Sequence, residues 1–194
     1  MKKYLLSFTA ATVLAIDMRI LAKDYLECQN WNDVLLHVRK DNILQRRTVS
    51  TSSRIASELI TRLQKLNNEE LEYLANSDIE ICKMLSWVAI CRTYDFIRDF
   101  AIEVVREHYL FGTMNVTYTD YASFINMKSE FHPELNSVTE ATLQKLRQVL
   151  FKMMSEAGII EEKTHIIPTI MPPELLNLLP REDYLSFPMF VREN

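Results

Sequence analysis

Glycine is almost missing from this sequence: its 194 residues include only Gly112 and Gly158, and all six prolines lie at Pro133 or beyond. Before Gly112 the chain therefore has neither residue, where an average chain would carry roughly 12% of the two together. A β-sandwich, a P-loop and a Rossmann domain need glycine at turns or phosphate contacts, so all three are excluded there. Cysteine is also scarce. Cys28, Cys82 and Cys91 are odd in number and form no CxxC, which fits reduced thiols in a cytosolic protein. No stretch has the ~18 uninterrupted apolar residues of a membrane-spanning helix, so no membrane partner is expected. With 22 Lys+Arg against 26 Asp+Glu, bulk charge does not advertise nucleic acid, and such binding must come from a local patch.

What is present is apolar material, 48% of residues with 10% aromatic, enough for one large or two small cores. The fold class expected is all-α in the main. An N-terminal helical bundle over 1–112 precedes a winged-helix-like domain with a short β-hairpin over 113–180, then a tail over 181–194. Lys2-Lys3 and the apolar residues that follow imitate a signal peptide. However, Asp17 and Arg19 interrupt the pattern, and Leu14, Met18, Leu21 and Tyr25 continue at helical spacing, so an amphipathic first helix is expected instead. A second helix is expected from Asn32 or Asp33 to about Leu44, and a third carries Ile55, Leu59, Leu63 and Leu66. Residues 82–110 are apolar on nearly every face, the mark of a buried central helix, with a break near Tyr94-Asp95. Beyond Gly112, helices are expected over 119–131 and 139–157, then a hairpin from Ile159-Ile160 and His165-Ile166-Ile167, then a short helix over 174–179.

Catalysis finds no constellation. His37, His108, His132 and His165 are isolated, and Ser50, Ser52 and Ser53 lack a nucleophile elbow, so no enzyme, metal or cofactor is expected.

Two segments instead have the chemistry of nucleic-acid readers. Residues 39–65 hold Arg39, Lys40, Arg46, Arg47, Arg54, Arg62 and Lys65 against only Asp41 and Glu58. Ser50, Thr51 and Ser53 lie at the start of the third helix, where free N–H groups and the helix dipole attract phosphate. Two helices around this turn make a helix-turn-helix-like segment over 33–66. The plain alternative is a capped helix with a solvated basic face. In the second segment, Lys145, Gln148 and Lys152 share an outward stripe of helix 139–157 with Arg147 beside it, and Lys163 sits at the hairpin tip. Glutamine suits base edges and lysine phosphates. The alternative there is a structural or protein-binding helix, because Glu140, Glu156, Glu161 and Glu162 dilute the charge.

Several stretches carry a family resemblance: Ser7-Phe8-Thr9-Ala10, Asn42-Ile43-Leu44-Gln45-Arg46-Arg47-Thr48-Val49-Ser50-Thr51, Ser86-Trp87-Val88-Ala89-Ile90-Cys91-Arg92-Thr93-Tyr94 and Phe96-Ile97-Arg98-Asp99-Phe100-Ala101. Phe131-His132-Pro133-Glu134-Leu135 and Lys145-Leu146-Arg147-Gln148-Val149-Leu150-Phe151 add to it. With these the chain resembles the BrxA family, the small helical component of BREX phage-exclusion systems. The resemblance implies a non-enzymatic, cytoplasmic accessory protein of anti-phage defence that binds double-stranded DNA and works beside other BREX components. It supplies no binding residues, so the candidate site rests on the charge reading above. Two other functions remain open. One is an adaptor that docks a larger partner through acidic residues 67–80 or the apolar tail (Leu185, Phe187, Met189, Phe190). The other is RNA binding through the same basic surface.

Overall fold

The computed structural model describes residues 3–191. It is mostly helical, and the chain forms two compact units, Val13–Thr93 and Met1–Thr12 with Tyr94–Asn194. This division differs from the expected one. The boundary falls at the break before residue 94 and not at Gly112, and the first dozen residues belong with the C-terminal part.

The unit Val13–Thr93 is a bundle of α1 (Ala15–Cys28), α2 (Trp31–Lys40), α3 (Val49–Leu63), α4 (Asn68–Asn76) and α5 (Ile79–Thr93). Helix α1 packs on all four others. Side-chain caps explain most of the starts: Asn30 accepts from the Asn32 amide, Thr48 from the Thr51 amide, and Asn67 forms a reciprocal capping box with Glu70. Helix α2 stops at Lys40, short of Leu44, because Asn42 and Gln45 adopt left-handed backbone in the following loop. Asn42 holds that loop by hydrogen bonds to both the amide and the carbonyl of Arg46. Leu14 is likewise left-handed and half-exposed, so α1 begins after it, while Met18 and Leu21 are buried as expected. Helix α5 is buried on nearly every face, with Trp87 at its centre.

In the other unit, one continuous helix runs through α6 (Asp95–Phe100), a π-helical stretch (Ala101–Arg106) and α7 (Glu107–Leu110). Gly112, at φ 78°, ends it as the Thr113 amide donates to the His108 carbonyl. Next come α8 (Tyr118–Ser129), a 3₁₀ turn at Pro133–Ser137, and α9 (Glu140–Glu156). Gly158, at φ 74°, stops α9 in the same way, with the Ile159 amide on the Met154 carbonyl. The antiparallel strands β1 (Ile160–Glu161) and β2 (His165–Ile166) then pair, and Asn115 bridges to His165 on the other side of β2. Helices α10 (Pro173–Leu178) and α11 (Arg181–Tyr184) follow.

Aromatic rings fill this core: Phe96 meets Tyr4, Phe8, Tyr121 and Phe124, and Phe100 meets Tyr121, Phe124 and Phe151. The N-terminal segment is held by polar contacts too. The Tyr4 hydroxyl donates to Asp99 at 2.6 Å, its amide donates to Glu134 at 2.6 Å, and its ring stacks on His132 at 3.7 Å. Burial, together with the Asp99 carboxylate, drives the Tyr4 phenol far above its ordinary pKa. The tail is structural rather than free: Phe187 is buried, Leu185 and Met189 are half-buried, and only Phe190 of the four is exposed.

Candidate nucleic-acid interface

The basic segment of the first unit divides into surface charges and packed ones. Arg39, Lys40, Arg47, Ser50, Thr51, Arg54 and Lys65 are exposed and Ser53 is half-buried. The Arg39 Nε reaches the Ser53 hydroxyl at 3.3 Å, which ties the end of α2 to the first turns of α3. Among the described residues, Lys40, Arg47 and Arg54 have no acidic partner.

Two of the expected phosphate contacts are committed elsewhere. Arg62, counted among the cations of residues 39–65, has a fully buried side chain that pairs with Glu58 one turn earlier at 2.8 Å. Arg46 is ion-paired with Asp17 of α1, which is 9% exposed. Burial raises the Asp17 pKa, and the Arg46 charge and hydrogen bond oppose that rise without cancelling it. Arg46 therefore acts as a strut between the loop 41–48 and α1. That loop is also longer than the 3–4-residue turn of a helix-turn-helix.

The acidic residues of the same unit behave differently from one another. Glu69, Glu72, Asp78 and Glu80 are exposed, but Glu70 is fully buried. Glu70 receives both guanidinium nitrogens of Arg92 at 2.6 and 2.7 Å, and the same guanidinium donates to the Lys65 carbonyl. Such a desolvated two-pronged pair fixes α5 against the start of α4.

The second candidate surface belongs to the other unit. Lys145, Gln148 and Lys152 lie exposed along α9, and Lys163 lies exposed at the β1–β2 turn. Gln148, Lys152 and Lys163 come together in one groove of about 410 Å³, with Tyr118, Phe151, Ser155 and Glu156 completing its lining. Lys152 is 3.7 Å from Glu156. Arg147 does not join the stripe: its guanidinium lies over the Tyr118 ring, 4.2 Å from the centroid. Tyr118 in turn meets the Phe151 ring at 5.0 Å. Sequence reasoning missed Tyr118 and Ser155. Tyr118 follows the capping Thr117 and has no charge or periodic signal of its own, while Ser155 continues the stripe one turn beyond Lys152.

Among the described residues, no group of three His, Cys, Asp or Glu side chains is placed to hold a metal ion. None of their helices is long and apolar enough to cross a membrane.

Fold and surface define a class: a helical protein of two compact units, each presenting exposed cations beside polar side chains. The chain belongs to the BrxA family, whose profile matches residues 2–183. It is 29% identical over 123 residues to "BREX protein BrxA" of Bacillus cereus (strain H3081.97), a match that spans 63% of this chain and 62% of that relative. It is 24% identical over 163 residues to "BREX protein BrxA" of Escherichia coli O9:H4 (strain HS), spanning 81% and 75%. The fold is similar to the crystal structure of an uncharacterized protein from Magnetospirillum magneticum, with TM-score 0.79, 18% identity and 91% of each chain covered.

Proposed function

We propose that this chain is a non-enzymatic DNA-binding component of a BREX phage-exclusion system, working in the cytoplasm beside other components of that system. The system is taken from the names of the two curated relatives. DNA is taken from the surface chemistry, and one observation carries it: the exposed stripe Lys145, Gln148, Lys152 of α9 lies next to the turn that bears Lys163. Cations at that spacing suit phosphates, and a glutamine between them suits a base edge.

The element order supports a winged-helix reading of this unit. Segment 114–116, α8, α9 and the β1–β2 hairpin follow in sequence, and 114–116 pairs with the second hairpin strand through the Val116 amide on Thr164 and the Ile166 amide on Met114. Helix α9 would then be the groove reader and the hairpin its wing. The α2–α3 pair, with Arg39, Lys40, Arg47 and Arg54 exposed at the end of α2, in the loop and on α3, offers a second phosphate-binding surface.

A gel-shift titration with one oligonucleotide as DNA duplex, DNA single strand and RNA duplex tests the reading. The DNA duplex should shift at the lowest protein concentration, and Gln148→Ala should change the ranking of duplex sequences more than the mean affinity. If no nucleic acid shifts at low salt, the reading fails and the adaptor function takes its place.

A further inference from the structure

The β1–β2 turn is built against local preference. Glu162 and Lys163 occupy its two central positions at φ 46° and 75°, with the Thr164 amide closing onto the Glu161 carbonyl. A two-residue hairpin loop with both centres left-handed normally uses Asn-Gly, because a side chain with a Cβ is strained there. Two long charged residues at these positions make the hairpin less stable than it could be, and one of them, Lys163, lines the groove beside α9. The turn thus sets exposed Lys163 at the edge of that groove.

The groove's own chemistry narrows that ligand. Its volume of about 410 Å³ lies within the range of small-molecule sites and leaves room for one nucleotide. Its wall is preorganised: Arg147 on the Tyr118 face and Phe151 against the same ring hold that ring in place. Its polar groups are of two kinds. Lys163 is exposed and, among the described residues, has no acidic partner, whereas Lys152 is shared with Glu156. A phosphate is therefore assigned to Lys163, which pairs with no carboxylate of the described residues, although exposed Glu161 and Glu162 precede it in the turn. Gln148 and Glu156 offer acceptors to a base edge, and an acceptor pair favours a base with an exocyclic amine.

We propose that this groove holds one unstacked nucleotide of a DNA single strand, with its phosphate on Lys163 and the exocyclic amino group of an adenine, cytosine or guanine on Gln148 and Glu156. The choice of nucleic acid as ligand rests on the function proposed above; the place, the single-nucleotide size and the base preference do not.

Fluorescence anisotropy with labelled octadeoxyadenylate, octathymidylate and a short duplex, using the full chain, separates the two proposals. Wild type should bind octadeoxyadenylate about tenfold more tightly than octathymidylate, the scale of a good base-edge contact. Glu162→Asn with Lys163→Gly should raise the thermal midpoint, because it relaxes the turn, yet weaken both single strands. Glu156→Ala should erase the preference while leaving or improving octathymidylate binding, because a repulsive carboxylate is gone. Arg47→Ala with Arg54→Ala, in the other unit, should leave the base preference unchanged.

Equal affinity for the two single strands in wild type, or a preference that survives Glu156→Ala, overturns the groove proposal. Duplex binding that persists beside such a result leaves the proposed function standing. Single strands bound with the expected preference but no duplex binding would support the groove and sink the duplex reading. No binding of any probe overturns both.

Discussion

Arg46 and Arg47 are adjacent in sequence, yet one is paired to a buried carboxylate and the other faces solvent. Arg46→Ala leaves Asp17 without its partner, which should lower stability by about 1–3 kcal/mol, the cost of an unsatisfied buried polar group. Arg47→Ala should stay within about 0.5 kcal/mol, as exposed substitutions usually do. Urea unfolding of the two variants checks this, and equal midpoints would contradict it. His37 makes a second prediction. It is 2.9 Å from Asp24, and this hydrogen bond first, then the Asp24 charge, raises its pKa above the ordinary 6.5. A raised histidine adds stability that is fully present below the unfolded value and is lost as pH rises through the folded value. The gap in thermal midpoint between wild type and His37→Gln should therefore be widest in mild acid and close in alkali. A gap independent of pH would exclude the ion pair as its cause.

Much of the helix order follows from local rules, and the sequence reading anticipates it. The break at Tyr94, the glycine stops at 112 and 158, the buried stretch 85–91 and the β-prone runs on either side of 162–163 need only propensity, capping and periodicity. What escapes those rules depends on distant partners. A helical wheel places Arg62 on the polar face, but cannot show that the bundle closes over its pair with Glu58. The charge count includes Arg46, but the Asp17 that occupies it lies 29 positions away. The N-terminal segment shows the same limit: apolar Tyr4 and Phe8 prolong a hydrophobic run, yet they pack with residues from 94 onward. That placement has an energetic consequence. Phe8 is fully buried, meeting Tyr94 and Phe96, and its 3₁₀ turn packs on α9. Phe8→Ala should cost about 3–5 kcal/mol, as large aromatic truncations in cores do. Chemical denaturation with a probe in the second unit would measure it, and a loss below about 1 kcal/mol would mean the turn is peripheral.

At the scale of the whole molecule, a net charge of −4 conceals a local group of exposed cations in each unit. The proposed function depends on cations that the fold leaves exposed: Arg39, Lys40, Arg47, Arg54 and Lys65 in one unit, and Lys145, Lys152 and Lys163 in the other. Arg46, Arg62 and Arg147 are engaged within the protein, so fewer charges are available to DNA than the sequence count suggests. Duplex affinity measured across salt concentration tests this account most directly. Binding should release counterions, so that log K falls linearly with log salt at roughly −0.9 per phosphate neutralised. Arg47→Ala with Arg54→Ala should weaken every duplex alike and flatten the slope by about two units, because phosphate contacts carry little sequence information. A duplex affinity that does not change with salt, or a slope that the double variant leaves intact, would contradict the account.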